Sequence, residues 1–112
     1  MSRRKLLFVC SANRIRSVTA ERIYQEDGNH DVRSAGTERG ARIPITAGLL
    51  GWADLIIVME KQHRERIQEK FADAIIGKQI ICLHIRDEYK LMDPKLIRLL
   101  QERLRPYLAL PD

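Results

Sequence analysis

Cys10 and Arg16 are the residues of this sequence whose types and spacing could do chemistry together. They stand at the two ends of the stretch CSANRIR, directly after the apolar run from Leu6 to Val9. A loop of this length after a strand can curl so that successive backbone N–H groups point at one centre and bind an anion. A helix that begins at Ser17 would add the positive end of its dipole. The stretch therefore predicts an anion-binding loop with the Cys10 thiol beside the anion site.

The chemistry that such a loop would support is nucleophilic attack on phosphorus. A thiol in a positive field is held as the thiolate, which is the nucleophilic form of cysteine. The planar guanidinium of Arg16 can donate hydrogen bonds to two phosphoryl oxygens and place the phosphorus in line with the sulfur of Cys10. The spacing alone leaves an alternative open, in which Cys10 is simply buried at a strand end and Arg16 lies on the surface.

The elements that must position this loop follow from the hydrophobic pattern. Continuous apolar runs predict strands buried on both faces, at 5–10, 32–35, 54–59 and 79–83. Between and after them, the pattern predicts helices at 17–27, 46–52, 60–71 and 94–107. This alternation predicts an α/β fold, a four-stranded parallel sheet with helices on both faces. Ligands of such folds bind beyond the carboxyl ends of the strands, where Cys10 falls.

The helix predicted at 94–107 has the clearest apolar face in the sequence, and Pro94 suits its first turn. The residues predicted to line that face are Leu96, Ile97, Leu100, Leu104 and Tyr107. The helix at 60–71 has a thin apolar face, mainly Ile67 and Phe71. His63 and His84 are interpreted as surface or helix residues, and the segment 84–93 is predicted to be a loop.

Composition narrows the functional classes. The 112 residues, predicted to form one domain over 1–112, carry 20 Lys and Arg against 15 Asp and Glu, a net charge of +5 that weakly favours an anionic partner. Aromatic residues make up only 5 % of the chain, so no nucleic-acid partner is expected. No apolar stretch reaches the length of a membrane span, so no membrane partner is expected. The two cysteines, Cys10 and Cys82, are too few for a disulfide framework and indicate a reducing, cytoplasmic location.

The stretch FVCSANRIRSVTAERI resembles the signature of low-molecular-weight protein tyrosine phosphatases. The matching positions are Cys10, Asn13, Arg16, Ser17, Ala20 and Glu21. Three later pieces match in order: RSAGT at 33–37, ADLIIVME at 53–60, and the dipeptide Asp93-Pro94. The resemblance covers most of the chain, which is similar to a shortened, divergent bacterial-type branch of predicted tyrosine phosphatases. It implies a flavodoxin-like sheet with strand order 2-1-3-4.

The resemblance also implies roles for the residues of the loop. Cys10 would be the nucleophile that forms a phosphocysteine, and Arg16 would bind the phosphoryl group and stabilise its transition state. Ser17 would hydrogen-bond the thiolate, Asn13 would hold a left-handed turn, and Ser34 would support Asn13. The phosphate-binding residues would be Ser11, Ala12, Asn13, Arg14, Ile15, Arg16 and Ser17.

Asp93 would be the general acid, which protonates the leaving oxygen and then deprotonates the attacking water. Asp followed by Pro before an amphipathic helix is also an ordinary N-cap and first-turn pair, and both roles could coexist. Asp87 and Glu88 are alternative acids in the same loop, although neither precedes a proline. No residues have the spacing of metal ligands, and neither a metal nor a cofactor is expected.

The sequence departs from the family at positions that affect redox protection and substrate choice. Ile15 stands where the family usually has a second cysteine, so oxidised Cys10 would lack an adjacent partner. Arg14 either points outward or contacts substrate. Lys95 replaces a tyrosine that often follows the Asp-Pro pair. Trp52 and Tyr89 are candidate aromatic replacements, although Trp52 is also a candidate core residue.

A phosphorylated substrate is therefore expected, and a nucleotide or phosphosugar is an alternative to phosphotyrosine as that substrate.

Three other functions remain as alternatives to phosphomonoester hydrolysis. Arsenate reduction would need two cysteines besides the nucleophile, and only Cys82 is available. A module that binds phosphorylated groups without hydrolysing them would not need the intact set Cys10, Arg16 and Asp93. A basic nucleic-acid-binding domain lacks a recognisable motif.

Overall fold

The computed structural model describes residues 3–108, in which strands and helices alternate. The strands are β1 (Arg4–Cys10), β2 (His30–Gly36), β3 (Leu55–Val58) and β4 (Gln79–Cys82). The helices are α1 (Arg16–Glu26), α2 (Ala47–Trp52), α3 (Lys61–Lys70) and α4 (Pro94–Leu104), with a 3-10 helix at Ala72–Ile75. Within this range no helix is long and apolar enough to cross a lipid bilayer.

The four strands form one parallel sheet in the order β2-β1-β3-β4, which confirms the predicted fold class and strand order. The chain leaves β1 for β2 on one side and returns to β3 on the other. The carboxyl end of β1 is therefore the point where the strand order reverses, which is where ligands bind in open parallel sheets. Cys10 is the last residue of β1 and pairs with Gly36 at the end of β2.

Side chains alternate across β1 and divide the core into two layers. Leu6, Phe8 and Cys10 face the side covered by α1 and α4. Leu7 and Val9 face the other side, which is covered by α2 and α3. Burial on both faces explains why β1 reads as a continuous apolar run, since each layer requires its own apolar residues.

Helix α4 is shorter than the sequence pattern predicted. It ends at Leu104, two residues before Pro106, whose missing N–H cannot continue the helical ladder. Tyr107 is 43 % exposed, so its predicted place on the apolar face is wrong, and Leu108 is buried instead. The predicted face is otherwise buried at Leu96, Leu100 and Leu104.

Helix α3 packs more closely on the sheet than its charged sequence indicated. His63 lies in α3, as one of the two predicted alternatives had it, but it is 1 % exposed and is therefore not a surface residue. It occupies the third position after the N-cap Glu60, and its side chain folds back to accept a hydrogen bond from the Glu60 N–H. His84 is exposed, as expected.

Candidate active site

The loop 11–15 joins β1 to α1, and the carbonyl groups of residues 10–13 are directed away from its centre. The carbonyls of Cys10, Ser11 and Ala12 accept hydrogen bonds from the backbone N–H groups of Thr37, Glu38 and Arg42, all at 3.0 Å. The Asn13 carbonyl accepts from Arg42 Nε at 3.0 Å. Each trans peptide unit directs its N–H opposite to its carbonyl, so the N–H groups of 11–14 face inward.

The first turn of α1 continues this row of N–H groups. The first helical hydrogen bond runs from the Thr19 N–H to the Ile15 carbonyl at 2.8 Å. The N–H groups of Arg16, Ser17 and Val18 therefore have no partner in the helix. Together with the loop they form a concave set of donors, as the sequence predicted, and such a set binds anions.

The loop can adopt this shape because β2 ends in glycine beside it. A Cβ on Gly36 would lie 2.5 Å from the Ser11 carbonyl oxygen and 2.6 Å from the Ala41 Cβ. Asn13 adopts the left-handed conformation with φ of 55°, as the resemblance implied. Asn tolerates this conformation better than most residues, which explains why the turn falls at this position.

Cys10 lies under this loop in a short chain of hydrogen bonds. Its Sγ is 3.0 Å from the Ser17 Oγ, which itself accepts a hydrogen bond from Asn13 Nδ2 at 2.7 Å. Because the Ser17 oxygen accepts from Asn13, its own hydrogen is available to donate to the sulfur. The Ser17 hydroxyl therefore supplies a hydrogen-bond donor to the Cys10 sulfur.

Arg16 lies on the wall of the same site and is 2 % exposed. Its Nη1 donates to Glu60 Oε1 at 2.5 Å and to the Ile85 carbonyl at 2.8 Å. Its Nε and Nη2 donate no hydrogen bond to any residue between 3 and 108. One edge of the guanidinium is therefore anchored, and the other edge is available for a ligand with two acceptor oxygens.

Asp87 is the carboxylate that the structure brings to Cys10 and Arg16. These three residues line a cavity of about 200 Å³ together with Ala12, Arg14 and Ile15. Asp87 Oδ1 lies 3.8 Å from Arg16 Nε, and its side chain is 64 % exposed. A carboxyl group at this place can reach the outer side of a bound phosphoryl group.

Asp93 has a different place in the structure. It is the N-cap of α4, where its Oδ1 accepts a hydrogen bond from the Lys95 N–H at 2.9 Å, and Pro94 occupies the first helical position. Asp93 is not among the residues that line the cavity with Cys10. The capping interpretation of Asp93-Pro94 is therefore confirmed.

Two supporting interactions were not predicted. Ser34 does not contact Asn13 as expected; its hydroxyl donates to Glu21 Oε1 at 2.7 Å, and the Asn13 Oδ1 is buried without a partner in the described residues. Glu21 also lies 4.0 Å from Arg42 Nη2, so the network reaches the loop through Arg42. Glu21 is 13 residues from Ser34 in the chain, so this partner depends on the packing of α1 against β2 and not on local sequence.

His63 is the functional candidate that sequence reasoning missed. Its Nε2 lies 2.8 Å from Ser11 Oγ, and its Nδ1 accepts from the Glu60 N–H at 2.9 Å. Because Nδ1 is an acceptor, the ring hydrogen is on Nε2 and is donated to Ser11. Burial and the nearby Arg16 charge lower the pKa of His63 from 6.5 to about 4, so it is neutral near pH 7. The available signal was the spacing of Glu60 and His63, which is that of a capping box.

The remaining candidates lie outside the cavity. Cys82 faces the α2–α3 side of the sheet and Cys10 faces the α1–α4 side, so the two thiols are separated by the sheet. Trp52 lies 4.4 Å from the Arg33 guanidinium and packs on the core of the α2–α3 side. Tyr89 packs on the core of the opposite side. Neither aromatic ring lines the cavity, to which the described part of the chain contributes the apolar side chains of Ala12 and Ile15 beside Cys10.

No family model and no curated protein matches the chain. Among solved structures, the tyrosine phosphatase Wzb from Escherichia coli K30 in complex with phosphate has a TM-score of 0.75 at 23 % identity, over 95 % of this chain and 96 % of that one. The tyrosine phosphatase AmsI of Erwinia amylovora gives 0.75 at 21 % identity, over 95 % and 91 %.

A third solved structure is the YwlE arginine phosphatase from Geobacillus stearothermophilus, with a TM-score of 0.66 at 17 % identity over 96 % of this chain and 99 % of that one. These three are low-molecular-weight protein tyrosine phosphatases in structure. The chain has their fold. The flavodoxin-like architecture implied by the sequence resemblance is therefore confirmed over nearly the full length of both chains.

Proposed function

We propose that this protein is a phosphomonoester hydrolase that works through a phosphocysteine intermediate. The observation that carries the proposal is the position of Cys10 Sγ. The sulfur receives the Ser17 hydrogen bond and shares a cavity with the available edge of Arg16. Inward N–H groups supply the remaining donors for three phosphoryl oxygens. The solved structures with the same fold support the proposal, since those named above are phosphatases.

In the first step, the Cys10 thiolate attacks phosphorus and the S–P bond forms as the P–O bond to the leaving group breaks. Asp87, in its protonated form, gives its proton to the leaving oxygen. The loop N–H groups and Arg16 stabilise the charge that spreads over the equatorial oxygens. In the second step, water attacks phosphorus, Asp87 takes a proton from the water, and the S–P bond breaks. Phosphate leaves and the thiolate is restored.

Asp87 is proposed as the general acid in place of Asp93. Asp87 lines the cavity and lies 3.8 Å from Arg16 Nε, which carries the charge beside the phosphoryl site. The Asp93 carboxylate is engaged at the start of α4. A general acid must reach the leaving oxygen directly or through one water, and this requirement favours Asp87.

The substrate is proposed to be a phosphomonoester whose leaving group is not restricted to tyrosine. Among residues 3–108 no aromatic side chain lines the cavity, whereas Arg14 does. A nucleotide or phosphosugar therefore remains a candidate beside a phosphoprotein. Arsenate reduction is not proposed, because Cys82 and Cys10 face opposite sides of the sheet. A reducing, cytoplasmic setting is proposed, since the chemistry needs Cys10 as a free thiolate.

Hydrolysis of p-nitrophenyl phosphate by purified protein in the presence of EDTA tests the proposal. We expect turnover by the wild type and none above background with Cys10→Ser. A Cys82→Ser variant is the matched control, because it removes the other thiol and should retain activity. Full activity in Cys10→Ser protein would overturn the mechanism. A panel of phosphotyrosyl peptides, nucleotides and phosphosugars then ranks the substrate classes by kcat/KM.

A further inference from the structure

A second cavity, of about 400 Å³, adjoins the catalytic one on the α1 side. We call it the arginine cavity, because Arg14, Arg22 and Arg42 line it. Arg14 lines both cavities, so the two lie side by side at this residue of the loop 11–15. A substrate whose phosphoryl group sits over Cys10 can therefore extend into the arginine cavity.

The arginine cavity has an excess of positive charge. Its one carboxylate, Glu21, accepts the Ser34 hydroxyl hydrogen bond and lies 4.0 Å from Arg42 Nη2, so its charge is partly compensated by Arg42. Arg14 and Arg22 are exposed, and neither forms an ion pair within the part of the chain that the structure describes. Two guanidinium groups therefore remain available to an anionic ligand.

The opposite side of the loop has the reverse charge. A cavity of about 390 Å³ beside Ser11 and His63 is lined by Glu38, Glu65 and Glu69 and by a single arginine, Arg66. An anionic group attached to the substrate would be repelled on that side and attracted on the α1 side. The charge distribution thus gives such a substrate one orientation at the catalytic site.

We propose that the arginine cavity is a second subsite, which binds a further anionic group on the phosphorylated substrate. The proposal rests on the proposed function and narrows its substrate class. The preferred substrate carries, beside the phosphoryl group that is cleaved, a phosphate or carboxylate within reach of Arg14 and Arg22. A small bisphosphate and a phosphopeptide with an acidic neighbour share this chemistry.

Matched substrate pairs test the subsite in turnover. One pair is a sugar bisphosphate and the corresponding monophosphate; the other is a phosphotyrosyl peptide with Asp or Asn next to the phosphotyrosine. We expect kcat/KM to be about tenfold higher for the more anionic member of at least one pair, which is about 1.4 kcal/mol. Arg22→Gln should reduce that ratio about threefold. The pair that responds identifies the source of the anion.

The control is Arg98→Gln, which removes an exposed arginine of α4 that does not line the arginine cavity. It lowers the net charge equally, so an effect of overall charge would appear in both variants. A ratio that changes only with Arg22→Gln supports the subsite. No preference in either pair, or an equal change with both variants, overturns it.

Binding of phosphonates separates this proposal from the proposed function, because it requires no turnover. Calorimetry compares methylphosphonate with alkane bisphosphonates whose linkers have one to four carbons. We expect the best bisphosphonate to bind about tenfold more tightly, with most of the gain lost in Arg22→Gln and at high salt. If this gain is present but no phosphomonoester is hydrolysed, the subsite is supported and the hydrolase fails. If hydrolysis occurs without any gain, the hydrolase stands and the subsite fails.

Discussion

The loop 11–15 and the segment 83–93 provide two sides of one cavity but are held in place by different means. The loop is fixed by backbone hydrogen bonds to 37–42 and by the N-terminal turn of the helix that follows it. The segment is irregular: backbone hydrogen bonds from Leu83 to Val58 and from Ile85 to Met59 hold its beginning, and side chains and other elements hold it as well. Arg103 donates to the Leu83 carbonyl, Arg16 to the Ile85 carbonyl, and the Met92 N–H donates to Thr19 Oγ1.

This difference determines which substitutions each region can tolerate. In the loop, the proposed catalytic groups and the groups that position them lie within one short stretch of sequence, so a short motif carries most of the geometry. In the segment, the position of Asp87 depends on Arg16, which is 71 residues away in the chain. The two regions meet at Arg16, which directly follows the loop in the chain and anchors the segment through the Ile85 carbonyl. Substitutions on each side should therefore separate phosphate binding from proton transfer.

The largest effect is expected from Arg16→Lys, because this residue serves both regions. Lysine keeps the positive charge beside Glu60 but cannot hold the Ile85 carbonyl and two phosphoryl oxygens at the same time. We expect kcat with p-nitrophenyl phosphate to fall about 10³-fold. Steady-state kinetics with a thermal unfolding check on the same sample measure this, and Arg98→Lys is the control. A loss below about tenfold in folded protein contradicts the role of Arg16.

Asp87→Asn should have the next largest effect and should spare phosphate binding. We expect kcat to fall about 10²-fold, since general acid catalysis contributes at least this much. The loss should be greater with phenyl phosphate than with p-nitrophenyl phosphate, whose less basic leaving group needs the proton less. Inhibition by inorganic phosphate should change little, because Arg16 and the loop remain.

Asp93→Asn is the matched comparison for Asp87→Asn. Asparagine is as good an N-cap as aspartate, so we expect near wild-type kcat. Asp93→Ala should lower the free energy of unfolding by about 1 kcal/mol, because the Lys95 N–H loses its partner. The opposite result, a large kcat loss with Asp93→Asn and none with Asp87→Asn, would return the acid role to Asp93.

The same contrast explains how much of the molecule could be predicted from its sequence. Continuous apolar runs predicted the strands of the parallel sheet. The loop motif predicted that Cys10, Asn13 and Arg16 lie together at the carboxyl end of β1. The motif also encodes the left-handed turn, because a local conformation depends on local residues. The choice between Asp87 and Asp93 depends instead on where α4 begins and on contacts with Arg16. His63 was missed because its burial depends on Ser11, which is 52 residues away in the chain.

Gly36→Ala tests whether the close approach at Gly36 positions the loop 11–15, and it changes no proposed catalytic group. The added Cβ would lie 2.5 Å from the Ser11 carbonyl oxygen, so the loop must shift. We expect the free energy of unfolding to fall by about 1–3 kcal/mol and kcat/KM to fall about tenfold. Gly51→Ala is the control, because no atom lies within 4 Å of the new Cβ and alanine favours its helix. Equal behaviour of the two variants would show that close approach at Gly36 does not position the loop.

The smallest effect is expected from His63 and concerns pH. The folded pKa of about 4 lies below the unfolded value of 6.5, so the unfolded state binds more protons between these values. The contribution of His63 to stability is therefore complete above about pH 6.5 and is lost as pH falls towards 4. The slope can reach about 1.4 kcal/mol per pH unit for one proton.

His63→Gln can retain both hydrogen bonds of the imidazole, to Ser11 and from Glu60, but it does not titrate. Urea unfolding between pH 4 and pH 7 should therefore show a shallower pH dependence in this variant than in the wild type. The rate near pH 7 should change little, because neutral His63 holds Ser11 by a bond that glutamine can replace. Parallel pH profiles for the two proteins would mean that His63 is not buried as a neutral group.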